Sequence, residues 1–242
     1  MSFPVYQDID GVITATQKRV NDTTVLQALK EAVREIGKVL PRLLTYMWDT
    51  PAGLHILMSK LDISDGIWRL IVQNEDCFNF AYVLPQRDGE PCRIVVPSAV
   101  QMGWVESPSL FCAVTKTARD LAQHFVDLAV PLPPHPVESS MAIEDVPMRA
   151  RAEAPSKLLQ VYVDDFCYAT QSKDGEHIPI VRRAAIHGIE AIFPPPAVTK
   201  HKDGKPPISV SKLLKRDGKF ESKKDMIGFS FDGIKRTPLN TH

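Results

Sequence analysis

Two adjacent acids, Asp164 and Asp165, stand between the apolar segments Leu158 to Val163 and Phe166 to Ala169. Short apolar runs of this kind read as buried strands, so the acids belong at the tip of a hairpin. Neighbouring carboxylates repel, and a pair embedded in apolar strands needs a cation if both are to stay ionised. Magnesium is the natural candidate, because it takes oxygen ligands from one or two carboxylates and fills its shell with substrate phosphates and water. A third acid on an adjacent strand lets a protein seat two such ions about 3.5–4 Å apart, a geometry suited to phosphoryl transfer. Asp62 is that acid: it closes the run Ile56-Leu57-Met58-Ser59-Lys60-Leu61 and should emerge at the sheet edge beside the hairpin tip. Taken alone, an Asp-Asp pair has a plainer reading as a turn or a helix cap. The rest of the chain decides between them.

Upstream, Val25, Leu29, Val33, Ile36 and Leu40 recur at helical spacing from Thr23 to Met47 behind the capping candidates Asn21 and Asp22, a helix that Pro41 can break. Phe78 to Leu84 and Arg93 to Val96 flank an Asp88-Gly89 turn signal and read as a hairpin. Ser107-Pro108 opens a second helix whose face is Leu110, Val114, Ala118, Leu121, Phe125 and Leu128. The six prolines between Pro131 and Lys157 mark a surface insertion or mobile loop. A third helix spans about Ile180 to Phe193 and stops at Pro194-Pro195-Pro196. Met226 to Phe231 reads as a strand leading to an Asp232-Gly233 turn.

Twenty-nine Lys plus Arg balance twenty-nine Asp plus Glu, which excludes a global basic field of the sort that binds nucleic acid. Any such contact must be local. Between Lys200 and Lys224 nine basic residues face only Asp203, Asp217 and Glu221, and a solvated loop is the plainer reading of that stretch. Cys77, Cys92, Cys112 and Cys167 stand far apart and form no C-x-x-C pair, which argues against a zinc site or a compact disulfide framework, and reduced core thiols are expected. No apolar run approaches the roughly 20 residues of a membrane span, and no signal-peptide layout opens the chain, so a cytoplasmic or nuclear protein without a membrane partner is expected.

Lys60-Leu61-Asp62-Ile63-Ser64-Asp65-Gly66 resembles the first catalytic motif of reverse transcriptases from retroviruses and long-terminal-repeat retrotransposons. Tyr162-Val163-Asp164-Asp165 resembles their Tyr-x-Asp-Asp box, and the two lie in the family's order. Gly103-Trp104-x-x-Ser107-Pro108-x-x-Phe111 is similar to the motif that supports template and incoming nucleotide. Ile227-Gly228-Phe229 resembles the start of the primer grip, and Val39-Leu40-Pro41-Arg42 the stretch that precedes the first motif. The resemblance implies an α+β polymerase palm, an antiparallel sheet backed by helices, with a partial fingers segment at the N-terminus. It implies a layout of fingers and leading helix over 1–55, palm over 56–130, Pro-rich insertion over 131–157 and palm continuation over 158–242. Asp62, Asp164 and Asp165, with the carbonyl of Ile63, become ligands of two Mg2+ ions, Mn2+ being an alternative. Ile63, Ile67, Gly103, Trp104, Ser107 and Pro108 are then the nucleotide and template side, and Ile227, Gly228 and Phe229 the primer side. The implied partners are an RNA or DNA template with its primer, deoxynucleoside triphosphates, and the remaining Pol domains (thumb, ribonuclease H, integrase) of a parent polyprotein.

Three departures from the family pattern stand out. Ile67 occupies the place of a bulky aromatic that excludes ribonucleotides, with Trp68 beside it as a substitute. The fingers hairpin is reduced to the first residues, where Lys18, Arg19 and Asn21 only loosely echo the triphosphate contacts and read more simply as surface charges. The chain ends soon after Ile227-Gly228, which suggests a polyprotein fragment without its thumb. Two rivals remain open: a catalytically inactive retroelement remnant, and a haloacid-dehalogenase-like phosphohydrolase using Asp8 and Asp10 of Asp8-Ile9-Asp10-Gly11. The second needs a buried strand before Asp8, and Pro4 in Phe3-Pro4-Val5-Tyr6-Gln7 disfavours one. Trp104 and Trp68 read as core or platform aromatics, His187 as a satisfied or solvent-facing residue, and Asp65 as a turn residue.

Overall fold

The computed structural model of the chain describes residues 2–9, 12–19, 23–144, 156–171, 177–196 and 204–240. In chain order its elements are β1 (Ser2–Ile9), β2 (Val12–Arg19), α1 (Thr23–Ile36), α2 (Val39–Asp49), β3 (Leu57–Asp62), β4 (Tyr82–Val83), β5 (Ile94–Val95) and α3 (Ser107–Asp127). They continue as β6 (Lys157–Tyr162), β7 (Asp165–Thr170), α4 (His177–Ile192), α5 (Val210–Leu214), β8 (Lys223–Met226), β9 (Phe229–Asp232) and β10 (Thr237–Asn240). The architecture is α+β with small antiparallel sheets and helices. Two compact units divide the chain, one formed by Met1–Arg34 with Gly66–Ala113, the other by Glu35–Asp65 with Val114–His242.

In the first unit β1 and β2 form an antiparallel hairpin running from Ser2↔Arg19 to Ile9↔Val12. The hairpin expected from Phe78 is shorter than its sequence suggests. Cys77–Phe80 winds into a 3-10 helix, closed by Asn79 N–H to the Asp76 carbonyl and Ala81 N–H to that of Phe78, so only Tyr82–Val83 pairs with Ile94–Val95. Cys92 is exposed, while Cys77, Cys112 and Cys167 are buried and in no disulfide, so the core-thiol expectation fails at Cys92 alone.

The second unit is built on an antiparallel sheet of order β3-β7-β6. Alternation along β3 sends Leu57, Ser59 and Leu61 to one face, opposite Thr170, Tyr168 and Phe166 of β7. Met58 faces Ala169 on the other side and joins a core with Val39, Leu43 and Met47 of α2 and with Met226 and Phe231. Lys60 and Asp62 continue that second face beyond the core. α4 packs on β7, and the backs of α3 and α4 approach so closely that a Cβ on Gly188 would lie 2.7 Å from Ala122 Cβ.

Three expectations change here. The first predicted helix is two, and the break falls at Gly37-Lys38, not at Pro41. Pro41 is the third residue of α2, where its missing N–H leaves no helical bond unmade. The Met226-to-Phe231 strand is in fact two strands, β8 and β9, joined by Ile227 (φ 48°) and Gly228 (φ 81°). Positive φ at both central residues is the two-residue turn that matches strand twist, and Gly228 meets it without strain. Within the stretch read as a loose loop, Pro136–Ser140 forms a 3-10 helix. Its buried Glu138 pairs with Arg182 at 2.7 Å and Arg183 at 2.9 Å, which pins it to α4; residues 145–155 lie outside the described set. Among the described residues no helix is long and apolar enough to cross a membrane.

Candidate active site

Asp62 is the last residue of β3 and Asp165 the first of β7, and the register sets them directly opposite each other. Facing residues in an antiparallel pair hold their Cβ atoms about 4.5–5.5 Å apart, so the two carboxylates leave the sheet side by side. Asp164 lies in the two-residue turn between β6 and β7, next to Val163, whose φ is 58°. A β-branched residue in the left-handed region is strained, and strain of this kind collects at functional turns. Tyr162, paired with Asp165 from the other strand, is half exposed on the same face.

The electrostatics follow from burial. Asp62 is 7% exposed, and its carboxyl is raised above the ordinary range first by desolvation and then by the Asp164 charge, against the pull of Lys212 and Lys60. Asp165 is raised too, by desolvation foremost; Lys60 opposes, while Asp164 and Asp62 add to the rise. Burial foremost, and then the neighbouring acids, thus disfavour the charged forms of Asp62 and Asp165, and two lysines oppose this. Lys212 Nζ donates to Asp62 Oδ1 at 2.6 Å, and its ammonium is held above its usual range because that bond and the three acids outweigh its desolvation. Lys60, two residues before Asp62 and on the same face, lies 3.5 Å from Asp217. The basic stretch is solvated only in part: Lys205, Lys215, Arg216 and Lys223 are exposed, while Lys224 is buried and donates to the carbonyls of Arg216 and Lys219 and to Glu221, fixing the turn behind α5; Lys200 and Lys202 lie outside the described residues.

Ile63 is buried and bridges to Ile208. The bonds of that bridge run from Ser64 N–H to Pro207 and from Ser209 N–H to Asp62, so the Ile63 carbonyl stands outside it. The donor set, hard carboxylate oxygens, fits a divalent cation in kind. It is not gathered as a closed ligand set: among the described residues no three His, Cys, Asp or Glu side chains converge on one point, and the ammonium of Lys212 holds Asp62.

Other residues singled out in the sequence are placed as follows. In the first unit Gly103 has φ 94° and open space around its missing Cβ, a conformation that suits glycine. Trp104 meets Phe80 edge-on at 5.1 Å, which makes it a platform aromatic. Ser107 is fully buried and donates its hydroxyl to the Gln101 carbonyl, Pro108 is exposed, Ile67 is partly buried and Trp68 half exposed. In the second unit Ile227, Gly228 and Phe229 form the β8–β9 turn, with Ile227 and Phe229 against the α2 core. Asp65 is a turn residue with φ 59°, paired with Lys205, and His187 contacts the Pro133 carbonyl at 3.0 Å. Lys18 and Arg19 fall in β2, and Asn21 and Asp10 lie outside the described residues. Asp8 sits in β1 of the two-stranded antiparallel hairpin, paired with Ile13.

Sequence reasoning missed Lys60 and Lys212. The spacing of Lys60 and Asp62 carried a signal, since residues two apart on a strand share a face. Nothing local pointed to Lys212, whose partner is 150 residues away.

No protein-family model matches the chain, and no curated protein matches it. Among solved structures, apo telomerase from Candida tropicalis, truncated from its C-terminal domain, is similar with a TM-score of 0.48 and 12% identity. The likeness covers 90% of this chain, which spans 45% of that one. A likeness of that size assigns neither fold nor function, and both rest on the residues described above.

Proposed function

We propose that the chain is the palm of a reverse transcriptase of retroviral or long-terminal-repeat retrotransposon type, an RNA-directed DNA polymerase that extends a primer 3′-hydroxyl. The observation that carries this reading is the register: Asp62 faces Asp165 across β3 and β7, and Asp164 follows in the adjoining turn. Two motifs separated by about a hundred residues of sequence meet at one sheet end, as two-metal chemistry demands of them. In this reading Asp62, Asp164, Asp165 and the Ile63 carbonyl hold two magnesium or manganese ions, which lower the pKa of the attacking hydroxyl and neutralise the triphosphate. The chain's own contribution is position: the buried run Phe166 to Thr170 of β7 fixes Asp165 opposite Asp62, and Val163, in the left-handed region, begins the turn that carries Asp164. By the resemblance, Ile67, Gly103, Trp104 and Pro108 would serve the nucleotide and template, and Ile227, Gly228 and Phe229 the primer; Ser107, fully buried, would act only by holding its own turn through the Gln101 carbonyl. The remaining Pol domains would supply thumb and ribonuclease H.

The test is primer extension on an RNA template with the purified chain in magnesium or manganese, beside Asp164→Asn. Extension that is lost in the variant supports the reading, and extension unchanged by the substitution refutes it. The second reading, an inactive remnant, draws on the lysine that holds Asp62 and on the ungathered ligand set. It predicts no extension by the wild-type chain with either metal.

A further inference from the structure

The chain that crosses over Asp62 is bound to it at successive points. Lys205 Nζ lies 3.2 Å from Asp65, and Ser64 Oγ donates to the Pro206 carbonyl at 2.6 Å. Ser64 N–H donates to the Pro207 carbonyl at 2.8 Å, Ser209 N–H to the Asp62 carbonyl at 2.9 Å, and Lys212 Nζ to Asp62 Oδ1 at 2.6 Å. Residues 205–209 therefore run alongside Asp62 to Asp65, joined there by the isolated antiparallel bridge Ile63↔Ile208, and the short helix α5 then brings its lysine onto the carboxylate. Asp62 is 7% exposed but Lys212 is 46% exposed, so the lysine reaches inward from a solvated position.

We propose that residues 205–212 are an autoinhibitory strap, in which the Lys212 ammonium occupies the Asp62 oxygen that a divalent cation needs and must leave before that cation binds. This rests on the metal-dependent reading of the site. The physical basis is competition at one atom. An oxygen that accepts a short charge-assisted bond from an ammonium offers a metal ion its lone pair only once that bond is broken. Lys60 is the internal contrast. It lies on the same face and acts on Asp165 through space, but its ion pair is with Asp217, so it adds positive field without blocking Asp62. Removing either lysine removes one positive charge; only Lys212 removes an occupant. The half-exposed Lys212 side chain has room to swing to solvent, but Asp62 is 7% exposed, so the bond is released only as an arriving cation takes over the charge of that carboxylate.

The experiment measures Mn2+ binding by calorimetry on the whole chain for wild type, Lys212→Met, Lys60→Met and Asp62→Asn, with amide hydrogen exchange at Ser64 and Ser209 before and after saturation. The proposal expects Lys212→Met to bind Mn2+ about tenfold more tightly than wild type and Lys60→Met to shift far less. It expects Asp62→Asn to lose the binding, and wild-type exchange at Ser64 and Ser209 to speed up when Mn2+ is bound. Equal affinity in wild type and Lys212→Met overturns the strap and leaves the metal reading intact. An equal gain from Lys60→Met also overturns it, since the effect is then field and not displacement. Absence of Mn2+ binding in every variant at millimolar metal overturns the metal reading and the strap together.

Discussion

The backing of the site depends on how closely α3 and α4 approach, and Gly188→Ala measures it. A Cβ built on Gly188 would lie 2.7 Å from Ala122 Cβ, 2.9 Å from the Ala118 carbonyl oxygen and 3.0 Å from Ala122 Cα. None of these atoms is the free end of a flexible side chain, so one helix must move. In favour of alanine stand about 1 kcal/mol of helix propensity and about 0.8 kcal/mol for a buried methyl group. Against it stands overpacking, which costs about 1–3 kcal/mol where side chains can yield and more where the obstacle is backbone. With two of the three obstacles in the α3 backbone we take a cost near 3–4 kcal/mol, a net loss of about 1–2 kcal/mol. For a chain of this size that lowers Tm by about 2–8 °C. Urea unfolding followed by circular dichroism, on wild type, Gly188→Ala, Ala122→Gly and the double variant, supplies the number. The double variant removes the shortest contact and should show a favourable coupling of about 1 kcal/mol. A Gly188→Ala protein as stable as wild type, or no coupling with Ala122→Gly, would refute the close approach.

Asp165→Asn should raise Tm at pH 7–8 in the absence of divalent metal. The folded pKa lies above the unfolded one, so the penalty on the folded state is absent below the unfolded pKa, near 4, and complete above the folded pKa. A gain that does not shrink as pH falls toward 4 would contradict that origin. Glu138→Gln should lower stability by about 2 kcal/mol at pH 7, less than a fully buried pair because Arg183 is 31% exposed. The bonds from the His135 N–H, Arg183 and Arg182 outweigh its desolvation and lower its pKa, so the loss should fade as pH drops below the ordinary carboxylate range; a constant loss down to pH 2 counts against it. Val163→Asn should raise stability by about 1 kcal/mol in urea unfolding, since asparagine tolerates a φ of 58° and valine does not; unchanged stability would show the turn unstrained. If the chain polymerises, Ile67→Phe should lower ribonucleotide kcat/KM relative to deoxynucleotide, and equal discrimination by both proteins would clear Ile67 of that role.

What could be read from the sequence was what local chemistry dictates. The hairpin around Asp164-Asp165 was legible because two apolar runs flank two acids, and α3 because Ser107-Pro108 starts a long periodic face. Boundaries failed where a residue's meaning depends on its position in the element. Pro41 breaks a helix interior but suits a first turn, and Ile227-Gly228 looks like strand until both residues take positive φ. Cys77–Phe80 carries strand-like residues yet closes its hydrogen bonds within one turn. The strap over Asp62 was illegible for a different reason. Its contacts join residues separated by about 140–150 positions, and a lysine among nine basic residues has no local mark that one of them will be an ion-pair partner.

The distribution of rigidity across the candidate site follows from the same alternation that built the sheet. Phe166, Cys167, Tyr168, Ala169 and Thr170 of β7 are all at most 1% exposed, so Asp165 begins a strand that the core fixes along its whole length. Asp62 ends a strand whose other residues Leu57, Met58, Ser59 and Leu61 are equally buried. A carboxylate at the end of such a strand cannot move away from its neighbour to relieve repulsion, because any shift would disturb close packing. The charges therefore have to be answered by something that comes to them. In this structure the answer is Lys212, at the end of a long side chain on a five-residue helix, and Lys60, anchored to Asp217. A rigid anionic edge with an adjustable cation is an arrangement whose charge can be exchanged without rebuilding the fold. On the strap proposal, displacement of the Lys212 ammonium, and not assembly of the acids, is then the step on which cation binding at Asp62 should depend.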